Sequence, residues 1–194
     1  MEVMQKTLQV IRKADPEFKV SLAGNFHKEL EADIYDYCIP IGASYPAEVL
    51  ARRAQNNLPT TYYTCCTEAF PNTFTFSDPA EAAWMSYYSA KDHLDGYLRW
   101  AYNSWPKEPL LDSRFEAWAG GDTYLVYPGA RSSIRFEKLI EGVQAHEKIT
   151  ILRKEFTDKK NKTGFKKLEK MLSTFNLRDF PEVPAAETVN KANK

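Results

Sequence analysis

Residues 60–102 read TTYYTCCTEAFPNTFTFSDPAEAAWMSYYSAKDHLDGYLRWAY. The opening run, Thr60 to Cys66, is β-branched, aromatic or small, and such residues suit a pleated, half-buried surface. It predicts a strand. Asp78, Pro79 and Glu81 then specify a helix start. Asp78 can cap free N–H groups, Pro79 gives up no hydrogen bond at the first helical position, and Glu81 can reach back. The helix carries Ala82, Ala83, Trp84, Tyr87 and Tyr88. Gly96 to Tyr102 (GYLRWAY) predicts the next strand. Strand, helix and strand in so short a span argue for a parallel unit with a right-handed crossover.

The same alternation extends outward. Upstream, Pro46 opens a helix that runs to about Asn57, and Ile34 to Ile41 (IYDYCIPI) and Phe18 to Ala23 (FKVSLA) predict two further strands. Met4, Leu8 and Ile11 recur at helical spacing, and Pro16 closes that first helix. Downstream, a long helix begins near Ser132 and carries Phe136, Leu139, Ile140 and Val143 on one face. The expected fold class is α/β: half of a TIM-type (β/α)8 barrel, four parallel strands with flanking helices. A complete barrel needs about 250 residues, and a chain that opens on a helix implies a strand before it.

The last 38 residues change character. Thr157 to Thr163 (TDKKNKT) reads as a polar linker, and its lysines as a solvated face. Phe165, Leu168, Met171, Leu172 and Phe175 mark one more amphipathic helix. The run AAETVNKANK after Pro184 has little to bury and reads as disordered. The expected division is residues 1–156, the half barrel, and residues 157–194, the linker, helix and tail.

Composition bounds the function classes. The chain has 194 residues, with 26 Lys and Arg against 26 Asp and Glu, so its formal net charge is zero. Hydrophobic residues make up 43% and aromatics 13%, enough for a core. Clustered positive charge, which phosphate backbones demand, is missing, so a nucleic-acid partner is not expected. A run of about 20 apolar residues is missing too, so no membrane partner is expected. Cys38, Cys65 and Cys66 show no CxxC spacing and read as three buried thiols on strands. Met1 to Ala14 is a mixed-charge amphipathic segment rather than a signal peptide. Taken whole, the chain would be cytoplasmic; as a piece of a longer protein, secreted or periplasmic.

In an α/β barrel, chemistry gathers at the C-terminal ends of strands. Four such ends are read here: Gly24 to His27, Gly42 to Tyr45, Thr67 to Ser77 beside Tyr62 and Tyr63, and Asn103 to Trp105. They are rich in aromatics and uncharged polar groups. That mixture suits a sugar, whose apolar ring faces stack and whose hydroxyls take hydrogen bonds. Glycoside hydrolysis normally uses two carboxyl groups, yet Glu68 has no obvious mate, and Asp33 and Asp36 read as turn or cap residues. His27, His93 and His146 are scattered without HExxH spacing, and GxSxG, GxGxxG and P-loop patterns are missing. No metal or cofactor is expected.

Two long stretches, Tyr62 to Trp118 (YYTCCTEAFPNTFTFSDPAEAAWMSYYSAKDHLDGYLRWAYNSWPKEPLLDSRFEAW) and Gly121 to Ile149 (GDTYLVYPGARSSIRFEKLIEGVQAHEKI), resemble the C-terminal half of the catalytic domain of glycoside hydrolase family 123, also called domain of unknown function 4091. The likeness covers roughly Met1 to Arg153. It implies barrel strands five to eight of an exo-acting, retaining β-N-acetylgalactosaminidase. In that family the substrate's own acetamido oxygen attacks the anomeric carbon, an Asp orients the acetamide, and a neighbouring Glu is acid and then base.

By this likeness the Asp–Glu pair falls before Met1, so no catalytic residue is assigned here. Tyr62, Tyr63, Trp100, Asn103 and Trp105 become the candidate sugar contacts. Arg99 and Trp100 lie on opposite faces of their strand, and either could point inward. Arg131 and Arg135 are expected to pair with Glu137 or Glu141. The implied partner is a glycan with a terminal β-linked N-acetylhexosamine, and a homodimer could complete the barrel. Two other readings stay open: a non-catalytic carbohydrate-binding or protein-interaction module, and a complete enzyme built on Glu68.

Overall fold

Leu8 is the buried residue of α1 (Glu2–Ala14), with Met4 and Ile11 half-buried on the same stripe and Val3 and Val10 exposed. The helix ends where Asp15 turns extended, φ −150°, ahead of Pro16. These elements belong to a computed structural model that describes residues 1–179 and 182–194. It has two units, Met1–Tyr63 and Thr64–Lys194.

In the first unit, β1 (Ser21–Ala23), β2 (Asp36–Pro40) and β3 (Thr60–Tyr63) pair in parallel in that order. Leu22 faces Tyr37, and Ile39 faces Tyr62. Each strand is shorter than its apolar run: Phe18, read as strand, is 54% exposed and lies outside the ladder. Tyr37, Cys38 and Ile39 are buried in succession, the pattern of a parallel strand covered on both faces. Burial pushes the Cys38 thiol up to about 11.

The helix α2 (Ala47–Gln55) follows Pro46 as the sequence predicts. It delivers Arg53, whose side chain is wholly buried. The Arg53 guanidinium donates to the carbonyls of Ile34 (3.0 Å), Tyr35 (2.7 Å) and Pro59 (2.8 Å), with Glu31 Oε1 at 3.4 Å. These carbonyls sit just before β2 and β3, so one buried cation ties the helix to both strands. Such a charge is tolerated because the donors of both terminal nitrogens are matched, although the buried Nε–H has no hydrogen-bond partner.

The second unit is built around α3 (Ala80–Lys91), which is buried on every side from Glu81 to Ala90. Its start follows the sequence reading. Asp78 Oδ1 accepts the Ala80 N–H at 2.9 Å, Pro79 is already helical, and Glu81 Oε1 accepts the Asp78 N–H at 3.1 Å. The strand β4 (Gly96–Leu98) follows, again shorter than predicted. The helix α4 (Ile134–Asp158) is capped by Ser133, whose hydroxyl accepts the Phe136 N–H.

The buried seam of α4 is Arg135, Gly142 and Ile149. The predicted face is off by about one residue, since Ile140 is 37% and Val143 53% exposed. Gly142 sets the seam. A Cβ there would lie 2.9 Å from the Ala83 Cα and 2.7 Å from the Ser86 hydroxyl, so α3 and α4 meet backbone to backbone.

The C-terminal segment differs from its reading. Helix α4 runs on to Asp158, and α5 (Lys162–Leu172) starts at once, so residues 157–163 are mostly helical rather than a linker. After Pro184 the chain forms α6 (Ala185–Ala192), with Ala185, Thr188 and Val189 buried, and is not a bare tail. Phe175 stacks on Tyr87 of α3 with centroids 4.5 Å apart and planes 5° apart. Arg153 of α4 meets Glu169 of α5 at 2.8 Å. Tyr87 also donates to Asn193 Oδ1 at 2.6 Å. The terminal helices therefore join the core of this unit.

Candidate functional site in the loops around the fourth strand

Within the second unit, the segment before α3 (residues 64–79) and the long segment after β4 (residues 99–133) are bound together by buried polar groups. Asn72 is the hub. Its side-chain amide donates to the carbonyls of Cys65 and Glu68, both at 2.7 Å, and its Oδ1 accepts from Arg99 Nη1 at 3.0 Å. Its backbone N–H donates to Glu81 Oε2 at 2.8 Å. Arg99 then reaches Asp122, Nη2 to Oδ1, at 2.7 Å.

Arg135 makes a second tie. Its Nη1 donates to the carbonyls of Thr73 (2.5 Å) and Gly121 (2.8 Å), and its guanidinium lies 5.3 Å from the Tyr124 ring centre. Gly121 has φ +79°, and a Cβ there would sit 2.5 Å from that same nitrogen. Only glycine fits both the backbone and the cation. The expected carboxylate partners are engaged elsewhere: Glu141 with Lys138 at 2.8 Å, and Glu137 with the Ser132 hydroxyl. Arg131 is exposed.

The open question at β4 is thus resolved. Arg99 points into the protein, with its side chain 5% exposed, and Trp100 points out, 46% exposed. Trp100 lies against Trp118, centroids 5.7 Å apart and planes tilted by 51°. The two indoles lie against each other, each with part of its surface open. Trp118, 40% exposed, was not singled out from the sequence; its place in the FEAW run was the available signal. Asn103 is exposed and bridges to Tyr124, and Trp105 donates Nε1–H to the Val126 carbonyl at 2.7 Å. Trp100, Asn103 and Trp105 therefore share one loop set. Tyr62 and Tyr63 lie on β3 of the first unit; Tyr62 is buried and Tyr63 half-buried.

The carboxylates of Glu68, Asp122 and Glu81 are occupied. Glu68 accepts the Cys65 N–H at 2.6 Å and the Thr67 hydroxyl at 2.8 Å, closing a local turn. Burial pushes its pKa up, but these bonds outweigh it and hold the carboxyl below its usual value. A group held ionised is a poor proton donor. Glu81 behaves oppositely: burial pushes it up to about 7, against the bonds from Asn72 and Asp78. Its two oxygens are committed to those backbone N–H groups. Of the thiols, only Cys38 is buried on a strand; Cys65 is half-buried and Cys66 exposed, both beyond β3. Among the described residues, no group of three or more His, Cys, Asp or Glu is placed to hold a metal ion.

The family profile "Glycoside hydrolase 123, catalytic domain" matches residues 1–152. The chain belongs to glycoside hydrolase family 123. A solved structure agrees: a family 123 glycoside hydrolase from Clostridium perfringens, described in terms of glycolipid glycan hydrolysis. It is similar over 100% of this chain at 25% identity with a TM-score of 0.79. This chain spans only 39% of that protein. No curated protein matches. The α/β fold of four strands with flanking helices is thus that of part of a family 123 domain, and the substrate of that family's chemistry is a glycan.

Proposed function

We propose that this chain supplies one sugar-binding side of a family 123 hydrolase whose substrate ends in a β-linked N-acetylhexosamine, with N-acetylgalactosamine as the leading sugar. Exo-acting, retaining, substrate-assisted hydrolysis is the reaction it serves. The observation that carries the reading is the exposed Trp100–Trp118 pair on loops riveted by Asn72, Arg99 and Asp122. An indole face suits the apolar face of a pyranose, and a rigid support lowers the entropy cost of stacking. Trp105 and Asn103, on the same loops, are proposed as further contacts. The similar Clostridium perfringens enzyme is described for glycolipid glycans, and a glycolipid headgroup is the proposed natural context.

The proposal assigns no acid or base to these loops. Glu68 is held ionised in a turn, Asp122 is paired with Arg99, and Glu81 holds two backbone N–H groups. In this reading the Asp–Glu pair of the family lies outside this chain. The test is direct. Incubated with an aryl β-N-acetylgalactosaminide, the chain should release no nitrophenol above background, because absent proton transfer alone costs about 10²–10⁴-fold. Turnover near about 1 s⁻¹, ordinary for an enzyme, would defeat the reading and bring Glu68 back.

A further inference from the structure

We infer that the corner between α4 and α5 binds a small organic anion, an apolar body ending in a carboxylate. The corner lies beyond residues 1–152, which the family profile matches, and the inference does not depend on the sugar reading. A pocket of about 430 Å³ opens there. It is lined by Phe156 and Thr157 from the end of α4, Lys160 from the turn, and Lys162, Phe165 and Lys166 from the start of α5. That volume lies within the range of small-molecule sites, about 300–1,000 Å³. Both rings are half-buried rather than loose on the surface. Phe156 rests against the backbone of α5, since a Cβ at Gly164 would lie 3.1 Å from its Cε1. The pocket thus offers aromatic carbon, and a lysine can lay its aliphatic stem along such a wall while its ammonium stays at the rim.

Charge decides the ligand. Residues 153–170 carry eight Lys and Arg against three Asp and Glu, in a chain that is neutral overall. All three acids are engaged: Glu155 with Lys159, Asp158 with Lys154, and Glu169 with Arg153. Lys160, Lys162 and Lys166 therefore line the pocket without an ion pair to any carboxylate of the described residues. A guest carboxylate gains charge-assisted hydrogen bonds from them, whereas a neutral apolar guest leaves all three cations unanswered. The backbone is a second observation. The Asn161 N–H donates to the Phe156 carbonyl at 2.8 Å and the Lys160 N–H to the Thr157 carbonyl at 3.0 Å. This bond pair ends a helix through one left-handed residue, which is usually glycine. Here that residue is Lys160, φ +53°. A side chain kept where glycine would relax the turn is a mark of binding sites.

Titration of the full chain with 2-naphthoate, followed through the backbone amide signals in NMR spectra, tests this. 2-Naphthamide, the same rings without the charge, is the control. The naphthoate should bind saturably at about millimolar affinity or tighter, with shifts centred on residues 156–166. Its affinity should fall severalfold on raising salt to about 0.5 M, since screening acts on exposed charges. The carboxamide should bind at least about tenfold more weakly, because it forms no ion pair. Lys160→Gln/Lys162→Gln/Lys166→Gln should lower naphthoate affinity at least about tenfold with circular dichroism unchanged. Lys160→Gly should raise the thermal midpoint, by relaxing the turn, and still weaken binding. Absence of saturable shifts at residues 156–166, equal binding of the carboxamide, or undiminished binding by either lysine variant overturns the inference. So do shifts confined to the tryptophan loops, because stacking alone would then account for the binding.

Discussion

Arg99 and Asp122 form an ion pair at 2.7 Å with side chains 5% and 0% exposed, linking the end of β4 to a loop more than twenty residues later. Removing one partner of such a pair leaves an uncompensated charge in a dry site, which costs about 3–5 kcal/mol. Asp122→Ala should therefore lower unfolding stability by about that amount in urea titrations. Arg99→Met with Asp122→Leu should recover much of it, since an apolar pair of similar volume is often neutral.

Gly142→Ala sets two effects against each other. Alanine is the better helix former by about 1 kcal/mol. Its Cβ, however, would lie 2.9 Å from both the Cα and the carbonyl oxygen of Ala83, and backbone does not move aside cheaply. Overpacking of this kind costs about 1–3 kcal/mol. The expected net result is destabilisation, read as a fall in thermal midpoint; a rise would show that α3 and α4 can separate freely.

Glu81 makes stability depend on pH. Its carboxyl is pushed up to about 7 by burial, against about 4.3 in an unfolded chain. The folded state holds the proton more tightly, so this contribution is fully present below about pH 4.3 and is lost as pH rises towards about 7. Glu81→Gln should flatten that part of the stability–pH curve. Denaturation at several pH values would show it, and an unchanged slope would assign the effect to other groups.

The Phe175–Tyr87 stack predicts what the C-terminal helices do. Phe175 is fully buried, and truncating a buried phenylalanine to alanine costs about 3–5 kcal/mol. Ending the chain at Lys159 removes α5, α6 and this ring together. That protein should aggregate at tens of micromolar, as light scattering would report. A soluble, folded truncation would mean that α3 needs no such cover.

The half-exposed indoles predict weak sugar binding. One stacking side without an opposite wall should bind N-acetylgalactosamine no better than about millimolar, about 4 kcal/mol. Trp100→Ala and Trp118→Ala should each abolish the calorimetric signal. Micromolar affinity would instead favour a self-sufficient binding module.

Much of the fold was legible because it is written in local chemistry. The Asp78–Pro79–Glu81 start, the Pro46 start and the β-branched run at Thr60 all folded as their residues dictate. The strand ends were overread, because an aromatic run such as Gly96 to Tyr102 looks the same whether or not its last residues find a partner strand. The seam of α4 was missed for another reason. Pattern reading ranks large apolar residues, whereas the actual contact is made by Gly142, which has no side chain. The site divides likewise. Exposed tryptophans announce themselves, but the Asn72–Arg99–Asp122 network joins residues far apart in sequence and obeys no spacing rule. The C-terminal segment, polar on average, buries only a few of its described residues, Phe175 and Leu172 most completely.

The burial of α3 on all sides bears on how this sequence can diverge. A helix with one wet face can accumulate substitutions there without consequence; ten consecutive buried positions offer no such outlet. Drift in α3 must be compensated by its neighbours. Enlargement at Ala83 or Ser86 has nowhere to go unless the two helices part, because Gly142 opposite has no side chain left to lose. Across relatives, these three positions should therefore change together or not at all, while the outward face of α4, with Val143 and Ile151, varies freely.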